Sequence, residues 1–355
     1  MISIIGAGPA GGYLAKLLAE QGQNVTVYEE HASIGSPIQC TGIMTAVLGD
    51  LVPIKKEYLV NTINKVRIHA PNGKTLELKL KRPNYVVHRT LFDQSFNAEA
   101  EKLGVTYKLN HRLVGLQKGK QVTLTFANGA TEKTDILVGA DGFKSTVARE
   151  LGETYKTIVG IQARYEGNFD PNVFEVYLGY GTFGWSVPEN DHISRIGLGN
   201  YGSSQKILAD MTKDMNLKFI EWQSGPIPVY NPRMHIQHDN IYLLGDAATH
   251  VKATTFGGIV YGLMGAQELA TVLTHGGNYQ RQCKKRFGKD LLLSLWMHRA
   301  MNKFTHKDYN DLLDIFTQDK TRNIIETHDR DKPSTFIMKL ALTQPKLLKY
   351  IPKML

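Results

Sequence analysis

The sequence predicts an α/β protein in which a parallel-sheet unit is interleaved with an antiparallel-sheet unit and followed by a helical C-terminal region. Three observations predict it. The opening run Met1-Ile2-Ser3-Ile4-Ile5-Gly6-Ala7-Gly8-Pro9-Ala10-Gly11-Gly12 is a short apolar strand ending in a glycine turn, and Tyr13 to Gln21 then reads as a helix. Between Val66 and Leu198 several strand patterns are joined by turns rather than helices. After Asn278 everything reads as helix.

The opening unit carries its own chemistry. Gly6 makes the tight turn, Gly8 lets the backbone approach a pyrophosphate, and Gly11 lets the helix pack on the strand so that its first N–H groups meet the phosphates. The next strand, Asn24-Val25-Thr26-Val27-Tyr28-Glu29, ends in the acid needed to hold a ribose hydroxyl, close to the ~20 residues on that such a unit requires. Ala10 and Glu30 flank these positions and belong to the same candidate set. This is a dinucleotide site. The same letters recur in Gly179-Tyr180-Gly181-Thr182-Phe183-Gly184 and Gly197-Leu198-Gly199-Asn200-Tyr201-Gly202. Pro188 forbids an immediate helix after the first copy. The second reads as a sheet-to-helix corner, because Lys218-Phe219-Ile220-Glu221-Trp222 beyond the helix at Ser203 to Met215 is no clear parallel strand ending in an acid.

At 355 residues the chain is long enough for two domains sharing a core. No run spans a bilayer and no secretory signal precedes the first strand; with two cysteines, Cys40 and Cys283, outside any C-x-x-C spacing, a cytoplasmic protein is expected. Lys and Arg number 42 against 33 acidic residues, a formal +9. The cations are not interleaved with aromatics as a single-strand platform requires, so nucleic acid is not expected as a partner. An anionic membrane surface, a phosphorylated substrate, or scattered solubilising charge account for the balance.

Taken in order, Ile34 to Ile43 is a Gly/Pro-punctuated loop over the site. Val66 to Ala70 and Lys74 to Leu80 form a hairpin across Pro71-Asn72-Gly73 and begin the antiparallel sheet, and Tyr85-Val86-Val87 returns to the first domain. Thr90-Leu91-Phe92-Asp93 opens a helix as a capping pair, with Phe92, Phe96, Ala100 and Leu103 on one face. Val105 to Leu109, a hairpin through Lys118-Gly119, and the buried strand Asp135 to Ala140 ending in Asp141-Gly142 follow. Ile158 to Tyr165, Val173 to Tyr177, Gly184 to Val187 and Ile193 to Leu198 continue the second sheet. Ile241 to Leu244 ends in Gly245-Asp246, and Gly257-Gly258 lead into a small-residue helix beginning at Ile259. Residues 1–60, 84–155 and 232–277 are assigned to the nucleotide domain, 61–83 and 156–231 to the substrate domain, and 278–355 to the helical region.

The glycine unit with Glu29, the Asp141-Gly142 turn and the Gly245-Asp246 turn, in that order, resemble flavoproteins of the aromatic-hydroxylase fold, as in p-hydroxybenzoate hydroxylase. The resemblance implies FAD, with Asp246 accepting from the ribityl chain and the helix after Gly257-Gly258 aiming N–H groups at the flavin's pyrimidine end. Within that fold the match narrows to the geranylgeranyl reductase family. Ser36-Pro37-Ile38-Gln39-Cys40-Thr41-Gly42 is similar to the family's Pro-x-x-Cys-x-Gly loop, and Arg89-Thr90-Leu91-Phe92-Asp93 resembles its Arg-x-x-Phe-Asp segment. Phe183-Gly184-Trp185-Ser186-Val187-Pro188 resembles Tyr-x-Trp-x-Phe-Pro, and the tail follows through Asp329-Arg330-Asp331-Lys332-Pro333 and Pro345-Lys346-Leu347-Leu348. The Pro-x-x-Gly-Gly-Gly loop departs from the family: here it is Ala253-Thr254-Thr255-Phe256-Gly257-Gly258, with bulky Phe256 where backbone usually meets flavin.

The family implies reduction of geranylgeranyl double bonds in archaeal-type isoprenoid lipids, by hydride from reduced flavin, with electrons from ferredoxin or NAD(P)H. Cys40 and Trp185 are the expected catalytic-site pair, Cys40 as proton relay or polarity-setting group and Trp185 as a wall of the lipid tunnel with Phe183 and Pro188. Arg89 is expected at the cofactor's phosphate or ribose. Alternatives on the same scaffold are a monooxygenase or halogenase, and a non-catalytic flavin- or lipid-binding paralogue. The tail interleaves Phe336, Ile337, Leu340, Leu347, Leu348 and Ile351 with Lys339, Lys346, Lys349 and Lys353. Such a face either lies on an anionic bilayer or packs on the protein's own core.

Overall fold

The opening apolar run forms β1 (Ile2–Ile5), wholly buried, and Pro9 in the first turn starts α1 (Pro9–Glu20), where its missing N–H has no intrahelical partner to lose. The computed structural model describes residues 1–38, 40–202 and 204–354. β2 (Val25–Tyr28) runs parallel to β1, with Ile5 opposite Tyr28. The chain then crosses through β3 (Ile43–Met44) and α2 (Leu48–Leu51) to the long hairpin of β4 (Leu59–His69) and β5 (Thr75–Val87), turning at Gly73 with φ of 81°. It returns by α3 (Arg89–Lys102) and β6 (Thr106–Lys108). A meander of β7 (Leu113–Gln117), β8 (Val122–Phe126) and β9 (Thr131–Thr134) precedes β10 (Ile136–Gly139), which lies parallel against β1. After α4 (Thr146–Glu150) the second sheet resumes with β11 (Thr157–Glu166), β12 (Val173–Tyr177), β13 (Phe183–Pro188) and β14 (Ile193–Asn200). α5 (Gln205–Thr212) and β15 (Lys218–Pro228) complete it. β16 (Gln237–His238) and β17 (Ile241–Leu243) close the first sheet, and α6 (Ile259–His275) packs across α1. The remainder is helical: α7 (Tyr279–Cys283), α8 (Lys289–Met301), α9 (His306–Phe316), α10 (Asp319–Thr327), α11 (Ile337–Thr343) and α12 (Ile351–Met354).

The strands make a six-stranded sheet ordered β16-β17-β10-β1-β2-β6, an eight-stranded sheet ordered β15-β11-β14-β13-β12-β4-β5-β3, and the meander. The first is parallel apart from its β16 edge, as helical crossovers require. The second has two unlike faces, because residues opposite one another across strands share a face. One carries the ion-paired row Lys65, Glu77, Arg67 and Glu175. On the other, Phe174 lies opposite Val66, Val66 opposite Leu78, and Val176 opposite both Ile68 and Trp185. That apolar face gathers Ile63, Val66, Val86, Phe174, Phe183, Trp185 and Val187 into one buried cluster.

Two expectations are corrected. Tyr85-Val86-Val87 does not leave the second sheet: β5 is one unbroken 13-residue strand whose end still pairs with β4 and β3, while Val87 and Tyr85 pack against the first core. Residues 84–87 and 43–44 therefore belong to the second sheet, because alternation through Val86 keeps its side chain in the apolar cluster. α3 is capped by His88, not Thr90; Thr90 instead donates to the Gly35 carbonyl, holding the loop before Cys40. As expected, residues 218–222 form no parallel strand: they begin an 11-residue edge strand antiparallel to β11, and the helix expected over Ser203 to Met215 is described over Gln205–Thr212. Ser203, like Gln39 of the Cys40 loop, lies outside the described residues.

Candidate active site

The glycine turn is crowded where a turn must be tight and open where a ligand must enter. Gly6 has φ of 101°, a conformation that L side chains avoid. A Cβ on it would overlap the Ala140 carbonyl, and one on Gly11 would overlap the Gly6 carbonyl oxygen. Nothing lies within 4 Å of a Cβ placed on Gly8. Gly8 is the N-cap of α1 and provides no side-chain cap, so the first N–H groups of that helix are available to an anion. Asn97 on α3 donates to the Ala7 carbonyl at 2.9 Å and steadies the turn.

Glu29 ends β2 beside this turn. Its carboxylate accepts from Ala7 N–H at 2.9 Å and from the His31 N–H at 3.1 Å, with His31 Nδ1 at 2.7 Å. A carboxylate offers about four lone-pair sites, so capacity is left for a hydroxyl. Glu30 is exposed, its carboxylate 3.9 Å from His31 Nε2. Ala10 packs between the Gly245 turn and Gly262 of α6, joining the two helices at the phosphate end.

Asp141 and Asp246 end parallel strands and behave differently. The Asp141 carboxylate accepts from Ser145 Oγ at 2.6 Å and Val147 N–H at 3.2 Å, so it caps its own turn after Gly142. Asp246, half-buried, accepts no side-chain hydrogen bond among the described residues. Burial raises its pKa, and Arg89 pulls it back. An under-used carboxylate facing a guanidinium fits a ligand that brings hydroxyl donors. Gly258 beside it is the uncapped N-cap of α6, with Ile259 as the first helical residue and Gly257 exposed before it.

Arg89 stands between these parts. It grips buried Asp93 through two bonds of 3.2 and 2.9 Å, and it lies beside Cys40. Burial opposes its charge, but Asp93 and Cys40 outweigh that and hold its pKa above the ordinary value. Its strongest partner is thus a protein carboxylate, which fixes the guanidinium near Asp246 and the Cys40 loop.

The Cys40 loop meets Trp185 through a residue that sequence reading missed. Thr41 Oγ1 donates to Gln162 Oε1 at 2.7 Å, and Trp185 Nε1 donates to the same oxygen at 3.1 Å. Arg195 donates to the Val87 carbonyl at 3.2 Å and to Glu189 at 2.7 Å, and it also holds the Thr41 carbonyl. Cys40 Sγ, half-buried, accepts from Gly42 N–H at 3.3 Å. Gln162, Arg195 and Asn97 had no local signal, since each acts on a partner dozens of residues away. Phe183 stacks on Phe256 at 5.3 Å, and Trp185 lies 6.5 Å from the same ring. Phe256 reaches that place with φ of 58°, unusual for a bulky residue. Pro188 is buried at the end of β13.

Residues 1–177 match the family described as FAD binding domain. Digeranylgeranylglycerophospholipid reductase of Methanococcus vannielii is 26% identical over 100% of this chain and 98% of its own length. The enzyme of that name from Methanothrix thermoacetophila is 24% identical, covering 88% and 90% of the two chains. A geranylgeranyl bacteriochlorophyll reductase-like protein of Thermoplasma acidophilum superposes with a TM-score of 0.86 at 20% identity, over 100% and 98% of the chains. The flavin-dependent halogenase CmlS superposes at 0.72 with 15% identity, over 98% of this chain and 78% of its own, a likeness of fold. The open turn, the under-used Asp246 carboxylate and these relatives converge: the chain is similar over its length to geranylgeranyl reductase-like flavoproteins, and its cofactor is FAD.

Proposed function

We propose that this protein saturates carbon–carbon double bonds in the geranylgeranyl chains of an archaeal-type isoprenoid lipid, using electrons from an external ferredoxin or nicotinamide donor. The observation that carries the reading is the shared acceptor Gln162 Oε1, which ties the Cys40 loop to Trp185 on the apolar face of the second sheet. FAD, when bound, supplies the hydride. The protein's part is to hold it: Gly8 and the N-terminus of α1 for the pyrophosphate, Glu29 for a ribose, Asp246 for the ribityl hydroxyls, and Gly258 with Ile259 at the α6 N-terminus for the ring's electron-rich edge. An unactivated alkene has no electron sink, so it must be pressed into place with water excluded. Phe183, Trp185 and Val187 supply the dry wall for that. Cys40 is the group for moving a proton at the alkene, with Arg89 setting the local charge.

The protein is expected to work at a membrane surface, where such a lipid resides. No helix among the described residues is long and apolar enough to cross a bilayer. Leu340 packs inward, but Met338 is 71% and Leu342 78% exposed, with Leu348, Ile351 and exposed Lys339, Lys346 and Lys349 on the same short helical segments. Apolar side chains ringed by lysine suit an anionic interface.

The test uses anaerobically reduced, FAD-loaded protein. Adding a geranylgeranyl lipid is expected to reoxidise the flavin and raise the lipid mass by two hydrogens per bond. Reoxidation that depends strictly on oxygen would replace the reading with a monooxygenase or halogenase. No turnover of any kind by a reducible, flavin-loaded protein would leave a non-catalytic binder.

A further inference from the structure

The apolar face of the second sheet carries a cation that nothing so far explains. Arg330 lies in the segment between α10 and α11, and its guanidinium stands over the ring of Phe174 at 5.8 Å. Phe174 is on the same strand and the same face as Val176, which lies opposite Trp185. Among the described residues Arg330 makes no hydrogen bond or ion pair with a side chain.

Its neighbouring carboxylates are committed elsewhere. Asp329 is paired with Arg82 at 3.1 Å, and Arg82 also binds Asp50 through both terminal nitrogens. Asp331 accepts from Lys252 and from Thr45, and its backbone carbonyl receives the Tyr261 hydroxyl at 2.6 Å. Lys332, next in the chain, is exposed. Burial lowers the pKa of Arg330, with Asp331 and Asp329 pulling the other way, so the surroundings fall short of the negative charge it asks for.

A second group on the same face is also short of a partner. Asn84 is 2% exposed and its Nδ2 has no hydrogen-bond acceptor among the described residues. It lies opposite Ile63, a member of the cluster that holds Phe174 and Trp185. A guanidinium offers donors only, and the amide nitrogen offers donors too. Two sets of unmatched donors on one apolar face call for an acceptor-rich anion joined to something greasy.

We propose that Arg330 and the Asn84 carboxamide bind the phosphate of an isoprenoid lipid, fixing the anionic end of the substrate on the sheet face that carries Trp185. This rests on the reductase reading for the identity of the lipid chain, while the anion site rests on Arg330 standing over Phe174 and on Asn84 lying opposite Ile63 in the same cluster. The phosphate can come from a lipid headgroup or from free phosphate.

The test compares geranylgeranyl phosphate with geranylgeraniol, which share a chain and differ in the anion. Binding to full-length, FAD-loaded protein is followed by tryptophan fluorescence, and turnover by anaerobic flavin reoxidation. The wild type is expected to bind the phosphate at least about tenfold more tightly, as a charge-assisted contact would give. Arg330→Gln should abolish that preference and raise KM for the phosphate alone, leaving geranylgeraniol binding unchanged, whereas Arg330→Lys should keep part of it. Asn84→Ala should weaken the preference less. Competition by inorganic phosphate that disappears in Arg330→Gln would mark phosphate alone as sufficient; a preference without such competition would mark the lipid-borne group. An unchanged preference in Arg330→Gln overturns the site. Arg330-dependent binding with no flavin reoxidation by either compound sinks the reductase reading instead and leaves the anion site standing.

Discussion

Gly6 to Gly11 and Gly197 to Gly202 spell the same spaced-glycine pattern and do different things. In the first, a parallel strand feeds a helix, and the two outer glycines let backbone meet backbone while Gly8 faces open space. In the second, an antiparallel strand crosses the sheet, and the missing side chains make room for the neighbouring strand and for an aromatic ring. A Cβ on Gly199 would overlap the ring of Phe256, and one on Gly197 would overlap Gln162 and, equally closely, the Ile161 carbonyl. Around a Cβ on Gly202 the described residues place only the Asn200 amide, at 4.0 Å. The lesson is that glycine spacing reports close approach, and topology decides what approaches: an open turn proposed for phosphate in one place, the Phe256 ring and Gln162 in the other.

The largest expected effect tests the first copy. Gly11→Ala improves helix propensity by about 1 kcal/mol, yet its methyl must collide with the Gly6 carbonyl. We expect a net loss of at least about 3 kcal/mol in stability and of most bound flavin, read by thermal melt and by visible absorbance of the purified protein. Gly202→Ala should change neither. If both behave alike, the two copies are not distinguished by crowding.

A second prediction uses one buried histidine from each side of the comparison. His250 follows the Gly245 turn, and His298 on α8 approaches Phe256 at 6.4 Å. Burial lowers their pKa values, to about 3 and about 4 respectively. Both are neutral when folded, whereas the unfolded chain takes up protons near 6.5. Stability present above pH 6.5 is therefore lost as pH falls toward 4, by about 2–3 kcal/mol for His298 at roughly 1.4 kcal/mol per unit. His298→Gln should flatten that part of the pH–stability curve while the His250 share persists. A variant curve parallel to the wild type between pH 6.5 and 4 would remove His298 from the account.

How much of this was legible depended on distance along the chain. Gly6, Gly8, Gly11 and Glu29 were legible because strand, turn, helix and acid are local, and the helical end was legible from periodicity. The Cys40 loop and Trp185 came from resemblance, and what joins them did not show: Gln162 is 121 residues from Thr41 and looks like any polar residue in a strand. Tyr85 to Val87 misled because a 13-residue strand can outlast its hairpin partner's obvious pattern. Asn84 had no local signal and Arg330 entered only with the tail that resembles the family; the fold is what set both against an apolar face.

Gly199→Ala sharpens the second copy. The added methyl must push the Phe256 ring off its stack with Phe183, costing about 1–2 kcal/mol, while flavin content stays normal. Alkene-dependent flavin reoxidation should change, and Phe256→Ala in the same chain should restore stability to the extent that the collision caused the loss. Flavin loss in Gly199→Ala would mean that this glycine, too, serves the cofactor.

The smallest effect is the most specific. Gly197 leaves space for Gln162, whose Oε1 takes two donors, one from the Cys40 loop and one from Trp185. Trp185→Phe deletes one donor and keeps an aromatic wall, so stability should fall by about 1 kcal/mol or less. Thr41 still holds the amide, so flavin stays bound. If the shared oxygen aligns loop and wall, reoxidation by the alkene should slow severalfold with KM little changed, because orientation is lost and apolar contact is not. Slowing matched by an equal rise in KM would instead make Trp185 a binding surface, and the amide between it and Thr41 a packing detail.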